Sequence, residues 1–96
     1  MKPPPIHPGA VLHRDYLEAC GISQTSLAVM MNVPPRRINE IVHGKRGITA
    51  DTALRLGHYF GMTPRFWMNL QARYDLETEA DRLGKAIGRL PVLNAA

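Results

Sequence analysis

Pro34 and Pro35 stand side by side inside an apolar pattern of helical spacing, and no single helix can run through them. A proline ring excludes the residue before it from the α region, so Pro34 must be extended. Pro35 suits the first turn of a helix, where its missing N–H costs nothing. The chain therefore has to turn between the stripes on either side. Upstream, Ser23 reads as an N-cap, Ile22 and Leu27 are spaced as a hydrophobic staple across it, and Leu27, Ala28 and Met31 share one face. Asn32 tolerates the left-handed conformation such a turn needs. Downstream, Ile38, Ile41 and Val42 form a second stripe, and Gly44 fits the left-handed position after a helix end. The pattern predicts two short helices, 24–31 and 35–43, joined by a tight turn. That is a helix-turn-helix, whose second helix enters the DNA major groove with its N-terminal residues against base edges.

The exposed side of the second helix breaks a local rule. Arg36 and Arg37 occupy its first turn, where the helix dipole disfavours cations, and such a break is expected at functional positions. Arg36, Glu40 and His43 share that side, with Arg37 beside them. The competing reading is a solvated Arg36–Glu40 pair at i,i+4. The next residues, GKRGI at 44–48, form a glycine-bracketed basic loop. Backbone N–H groups and cations there suit phosphate contact, which positions a protein on DNA without reading sequence; the alternative is an ordinary surface turn. It is not a nucleotide-binding loop, because the glycine spacing and a preceding strand are both missing.

Ninety-six residues, 45% of them hydrophobic, make one globular domain, 1–96, with a real but thin core. The net charge of +4 is weak evidence for a polyanion partner by itself. Its distribution says more: Arg36, Arg37, Lys45 and Arg46 face a single Glu40 over 36–46, whereas Asp75, Glu77, Glu79 and Asp81 cluster without a base over 75–81. One surface for DNA and another for a different partner follow. The single Cys20 excludes an intrachain disulfide and is expected to be semi-buried at the end of the first helix. Neither a leader-like apolar segment nor a run of eighteen apolar residues is present, so a cytoplasmic protein with no membrane partner is expected. His7, His13, His43 and His58 make no metal-ligand spacing, and no catalytic triad order or paired-carboxylate cleft can be assembled. No metal, no cofactor and no catalytic residue are expected. His13 should face outward and His58 should lie near the aromatic cluster, both in structural roles.

The rest of the chain is also helical in spacing. MKPPPI is an extended lead-in, pinned at Ile6. Pro8 starts a helix over 8–20 with an apolar stripe of Val11, Leu12, Tyr16 and Cys20, ended by Gly21. Thr49 caps a helix over 50–60, with Ala53, Leu56, Gly57 and Phe60 on its core face and Gly61 at its end. Thr63 and Pro64 open a helix over 64–74 that carries Phe66, Trp67, Leu70 and Tyr74. Those rings are core or subunit interface, and Trp67 and Tyr74 are the candidate dimer contacts. A last helix over 76–88, with Leu76, Leu83 and Ile87 on one face, precedes a frayed tail. No alternating run survives as a strand. The fold class is all-α, five to six short helices.

By residue 76 the pattern resembles a specific family. The run PRRINEIVHGKRGITADTALRLGHYFGMTPRFWMNLQARYDL is similar to the signature of the HigA antitoxins, the VapI family of plasmid-maintenance antidote proteins. IHPGAVLHRDYLEACGISQTSLA fits as well, although Ala10 stands where that family more often has an acid. The resemblance covers about 6–76. It implies a lambda repressor-like helix-turn-helix fold, a homodimer, a palindromic double-stranded operator in the protein's own operon, and a HigB-like toxin, an mRNA-cleaving ribonuclease of the RelE type, as second partner. It also implies that Gln24 touches phosphate, that Pro35, Arg36, Arg37 and Glu40 face the groove, and that Lys45 and Arg46 face the backbone. A stand-alone transcription regulator of the same fold, with no toxin, is the alternative.

Overall fold

In the computed structural model, which describes residues 2–94, every regular element is helical. The first helix, α1, begins as an α-helix at Pro8–Val11 and passes into a wider π-helical stretch, Leu12–Glu18. Then come α2 (Gln24–Met31), α3 (Pro35–Val42), α4 (Ala50–Phe60) and α5 (Pro64–Leu83), followed by a 3-10 coil at Gly84–Arg89. The all-α repressor-like class is confirmed.

The boundaries come from the residues that the sequence marks. The Ser23 hydroxyl accepts from the Ser26 N–H at 3.0 Å. Asn32 takes the left-handed conformation, with φ 56°, and closes α2. Pro34 is extended, at φ −62° and ψ 140°, and Pro35 is the first residue of α3. Thr49 and Thr63 accept from the N–H groups of Thr52 and Arg65 to open α4 and α5.

Three expectations about the ends of the chain are corrected. In α1 the π-helical stretch changes the spacing from i,i+4 to about i,i+5. Leu12 and Leu17 are therefore both buried, whereas Cys20, expected on the stripe, is exposed. At the N-terminus Ile6, expected to pin the lead-in, is 63% exposed. His7 pins it instead: its Nδ1 accepts from the Gly9 N–H at 2.9 Å as the cap of α1, and its ring meets Tyr74 edge-on at 4.9 Å. At the other end, the helix expected over 64–74 runs on without a break to Leu83, 20 residues in all, and the remainder of the one expected over 76–88 is the 3-10 coil. No glycine or proline interrupts the long helix after Pro64, and Gln71–Asp75 and Arg73–Glu77 hydrogen bonds span the expected break. Leu76 and Ile87, expected on one face, are both exposed.

The core lies where α1, α2, α4 and α5 meet behind α3. Leu12, Leu27, Ile38, Ile41, Leu56 and Trp67 are all fully buried, each burial being worth about 1.5–3 kcal/mol for an aliphatic side chain. Trp67 packs on Tyr16 and Phe66, with ring centroids 5.0 and 5.1 Å apart. Gly9 lets α1 touch α3 backbone to backbone: a Cβ there would lie 1.7 Å from the Ile41 carbonyl oxygen. The buried face of α3 is thus fixed from behind, which leaves its other face open.

Candidate nucleic-acid interface

On that open face Arg36, Asn39, Glu40 and His43 recur at i, i+3, i+4 and i+7, Glu40 partly covered and the other three exposed. Glu40 is its hub. Its carboxylate accepts from Arg46 Nε at 2.9 Å and from Arg36 Nε at 3.1 Å. Those two hydrogen bonds, that from Arg46 first, hold its carboxyl below the usual carboxylate range. Arg46 thereby ties the basic loop to α3. The Arg36 side chain is 85% exposed even while paired, and an ion pair so exposed contributes little to stability, so the guanidinium is available to exchange Glu40 for another acceptor. The solvated i,i+4 pair weighed against groove reading is therefore present, and it does not remove Arg36 from the surface.

Arg37 is turned the other way. Its side chain is only 27% exposed and donates to Asp51 on α4 at 2.7 Å. Arg55 donates to the same carboxylate at 2.9 Å and to the Met31 carbonyl at 2.8 Å. Hydrogen bonds from Arg55 and Arg37 hold the Asp51 carboxyl below its ordinary range. The four residues brace the end of α2, α3 and α4 against each other. Arg37, read as facing the groove, is engaged in this brace; its partner lies 14 residues away, beyond any local pattern.

Gln24, at the first position of α2, stands against α3: Asn39 Nδ2 donates to its Oε1 at 3.3 Å. Asn39 was not among the residues singled out from the sequence, although its place three residues after Arg36 was there to be read. His43 Nδ1 donates to the Asn39 carbonyl at 2.8 Å. Pro35 is exposed at the start of α3, and Lys45 is exposed in the loop with no ion pair among the described residues. Gln24 thus joins α3 through Asn39, Arg36 and Arg46 meet at Glu40, and Arg37 is engaged with Asp51.

The residues assigned to subunit contact divide. Trp67 is fully buried in the core of its own chain, so it is corrected to a core residue. Tyr74 is half-buried beneath the His7 ring. The acidic cluster is not a bare charge either. Asp75 accepts from Gln71, Glu77 from Arg73, Glu79 from Arg82 and Asp81 from Lys2. Among the described residues no group of three or more His, Cys, Asp or Glu is placed to hold a metal, and no helix is long and apolar enough to cross a membrane. His13 faces outward and pairs with Glu18 at 2.8 Å, a contact that the π-helical spacing brings together; His58 is exposed.

A capped α2, a left-handed Asn turn and an α3 with one buried and one polar face define a helix-turn-helix protein, and the Helix-turn-helix family matches residues 14–67. The chain is 54% identical over 74 residues to Virulence-associated protein I of Dichelobacter nodosus, across 77% of this chain and 68% of that one. Its fold is similar to that of the Pseudomonas aeruginosa antitoxin HigA with the higBA promoter, with a TM-score of 0.90 and 43% identity over 94% of this chain and 99% of that one. It is similar also to antitoxin GraA in complex with its operator, with a TM-score of 0.87 and 37% identity over 99% of each chain. The chain belongs to the helix-turn-helix family of HigA-type antitoxins.

Proposed function

We propose that the protein is a DNA-binding antitoxin that represses its own operon and neutralises a HigB-like, mRNA-cleaving toxin in the cytoplasm. The observation that carries the DNA half is the α3 surface. Arg36 stands 85% exposed in the first turn of the second helix, against the dipole, with Asn39 and Gln24 beside it. A guanidinium can grip O6 and N7 of guanine, and an amide can pair with adenine. Lys45 and Arg46 on the adjoining loop take phosphates. Relatives solved with operator or promoter DNA support the same reading.

The test is binding to a duplex from the region upstream of its own gene. Arg36→Ala is expected to relax preference at one base step, by about 1–3 kcal/mol of discrimination. Lys45→Ala is expected to weaken all sequences alike and to lower the salt slope by about one. Unchanged affinity and specificity in Arg36→Ala would mean that α3 does not read bases.

The operator is read as a palindrome by a homodimer. With Trp67 buried, the subunit contact is assigned to the shallow groove between α4 and α5, where Leu54 and Met68 are exposed beside Ala53 and Pro64. The toxin half rests on family membership. A toxin that binds RNA should present a cationic surface, and charge complementarity chiefly sets the on-rate and the choice of partner. Because each acid over 75–81 already has a partner, that stretch supports the toxin contact less than its charge count implied. Co-expression with the neighbouring gene product decides between the antitoxin and a stand-alone regulator: co-purification and rescue of growth are expected, and failure of both leaves a plain repressor.

A further inference from the structure

The basic loop 44–48 is held from two sides by residues that have no part in the groove. On one side lies Gln71 of α5. Its Oε1 accepts from the Ile48 N–H at 2.6 Å. The amide lies flat against the loop: a Cβ on Gly47 would sit 3.1 Å from its Cδ, Oε1 and Nε2. An amide can bind in either of two orientations. Here Asp75 fixes the choice, since Gln71 Nε2 donates to Asp75 Oδ1 at 2.9 Å and leaves Oε1 for the loop.

On the other side lies His7. Nδ1 accepts from the Gly9 N–H, so the neutral ring's proton is on Nε2, and the backbone carbonyl of Arg46 lies near enough to favour the protonated ring. Its face is backed by Tyr74, and its carbons lie 3.8–3.9 Å from where a Cβ on Gly44 would be. Residues 44 and 46 therefore rest on His7, and 47 and 48 on Gln71. Between these supports the N–H groups of Arg46 and Gly47 have no acceptor among the described residues. A loop with two glycines and two free N–H groups would be mobile without such supports. Fixed, it offers those N–H groups and the Lys45 and Arg46 side chains as one anion-binding surface.

We propose that Gln71, oriented by Asp75, and His7 are the positioning residues that hold the basic loop in the shape that grips a DNA phosphate. The inference rests on the DNA reading above and assigns to Asp75 a part in that surface rather than in a separate acidic patch. The bracket sets affinity and not sequence preference, because the loop meets the DNA backbone and not base edges.

The experiment measures binding of the full chain to two duplexes over a salt series: one from the region upstream of its own gene, and one of mixed sequence. Gln71→Met keeps the side chain's length and removes both hydrogen bonds. It should weaken binding to both duplexes by the same factor, on the order of tenfold, the worth of one charge-assisted hydrogen bond. The salt slope should fall by about one, and the Ile48 amide should exchange faster while α3 amides keep their protection. Asp75 is exposed, so its variants test the same point with no risk to the core. Asp75→Asn keeps an acceptor for the Gln71 amide and should bind at least as well as the parent chain, whereas Asp75→Leu should bind less well. Equal binding by Asp75→Asn and Asp75→Leu would overturn the inference. So would parental binding and slope in Gln71→Met, or a loss confined to the upstream duplex; each of these outcomes leaves the DNA reading standing. No binding of either duplex by the parent chain would remove the DNA reading and this inference together.

Discussion

His7 shows how much one side chain can do when its ring is half-buried between elements. Burial pushes its pKa below the ordinary 6.5, and the nearby Asp75 charge and the Arg46 carbonyl oppose that shift only in part. A proton on Nδ1 also abolishes the acceptor for Gly9 N–H. The neutral ring is thus the folded form. Above pH 6.5 both states hold it neutral and its contribution is complete. As pH falls below that value the unfolded chain takes the proton first, and stability declines until the folded pKa is passed. The carboxylates behave separately: Glu40, Asp51 and Glu79 are held below ordinary values of 4.5, 3.8 and 4.5 by their arginines, so their contribution is lost only in more acid solution. Urea unfolding between about pH 5 and 7 should therefore show a decline that His7→Asn removes. Asparagine still caps a helix, so His7→Asn should keep most of the stability at pH 7.5, whereas His7→Ala should lose about 0.5–2 kcal/mol. A decline that persists unchanged in His7→Asn would assign it to another group.

The contact between α1 and α3 sets where the open face of α3 points. Gly9 brings the two backbones so close that any Cβ overlaps the Ile41 carbonyl oxygen. Gly9→Ala should cost about 1–3 kcal/mol or more, as overpacking does, and should shift α3 on the core. The check is urea unfolding with a parallel affinity measurement. A stable variant with parental DNA affinity would show that the helices can separate without harm. At this scale the sequence was legible where a helix ends on a residue with a local signature: Ser23, Asn32, the Pro34–Pro35 pair, Thr49 and Thr63 all act as read. It was illegible where spacing depends on hydrogen bonds no residue type announces. The π-helical turn of α1 looks like an α stripe that should have buried Cys20, and nothing in LHRDYLE marks the wider turn. The break expected at residue 75 is absent, because nothing between Pro64 and Gly84 can interrupt a helix.

For the whole molecule, the surface was easier to read than its partners in space. Arg36 and Lys45 are exposed, but Arg37 is held by Asp51 and Trp67 by the core, both through contacts made by other helices. The loss of Trp67 moves the expected dimer contact. Subunits that read half-sites about 34–36 Å apart need a contact that flanks α3 and leaves its open face free. The groove of Leu54 and Met68 meets that need, since Asp51 at the start of α4 is joined directly to α3 through Arg37. Leu76, also exposed, lies on the distal half of α5, in a molecule whose long axis is 54 Å. Leu54→Glu combined with Met68→Glu places like charges in the proposed contact at positions already open to solvent, so the protomer should fold as before. Sedimentation should show a dimer for the parent chain and a monomer for the double variant. That monomer should lose its preference for a two-half-site duplex over a single half-site while keeping weak, salt-sensitive binding to either. Leu76→Glu should leave both properties unchanged. A double variant that still sediments as a dimer would move the contact elsewhere, and a parent chain that is monomeric at every concentration and binds one half-site as tightly as two would remove the dimer altogether.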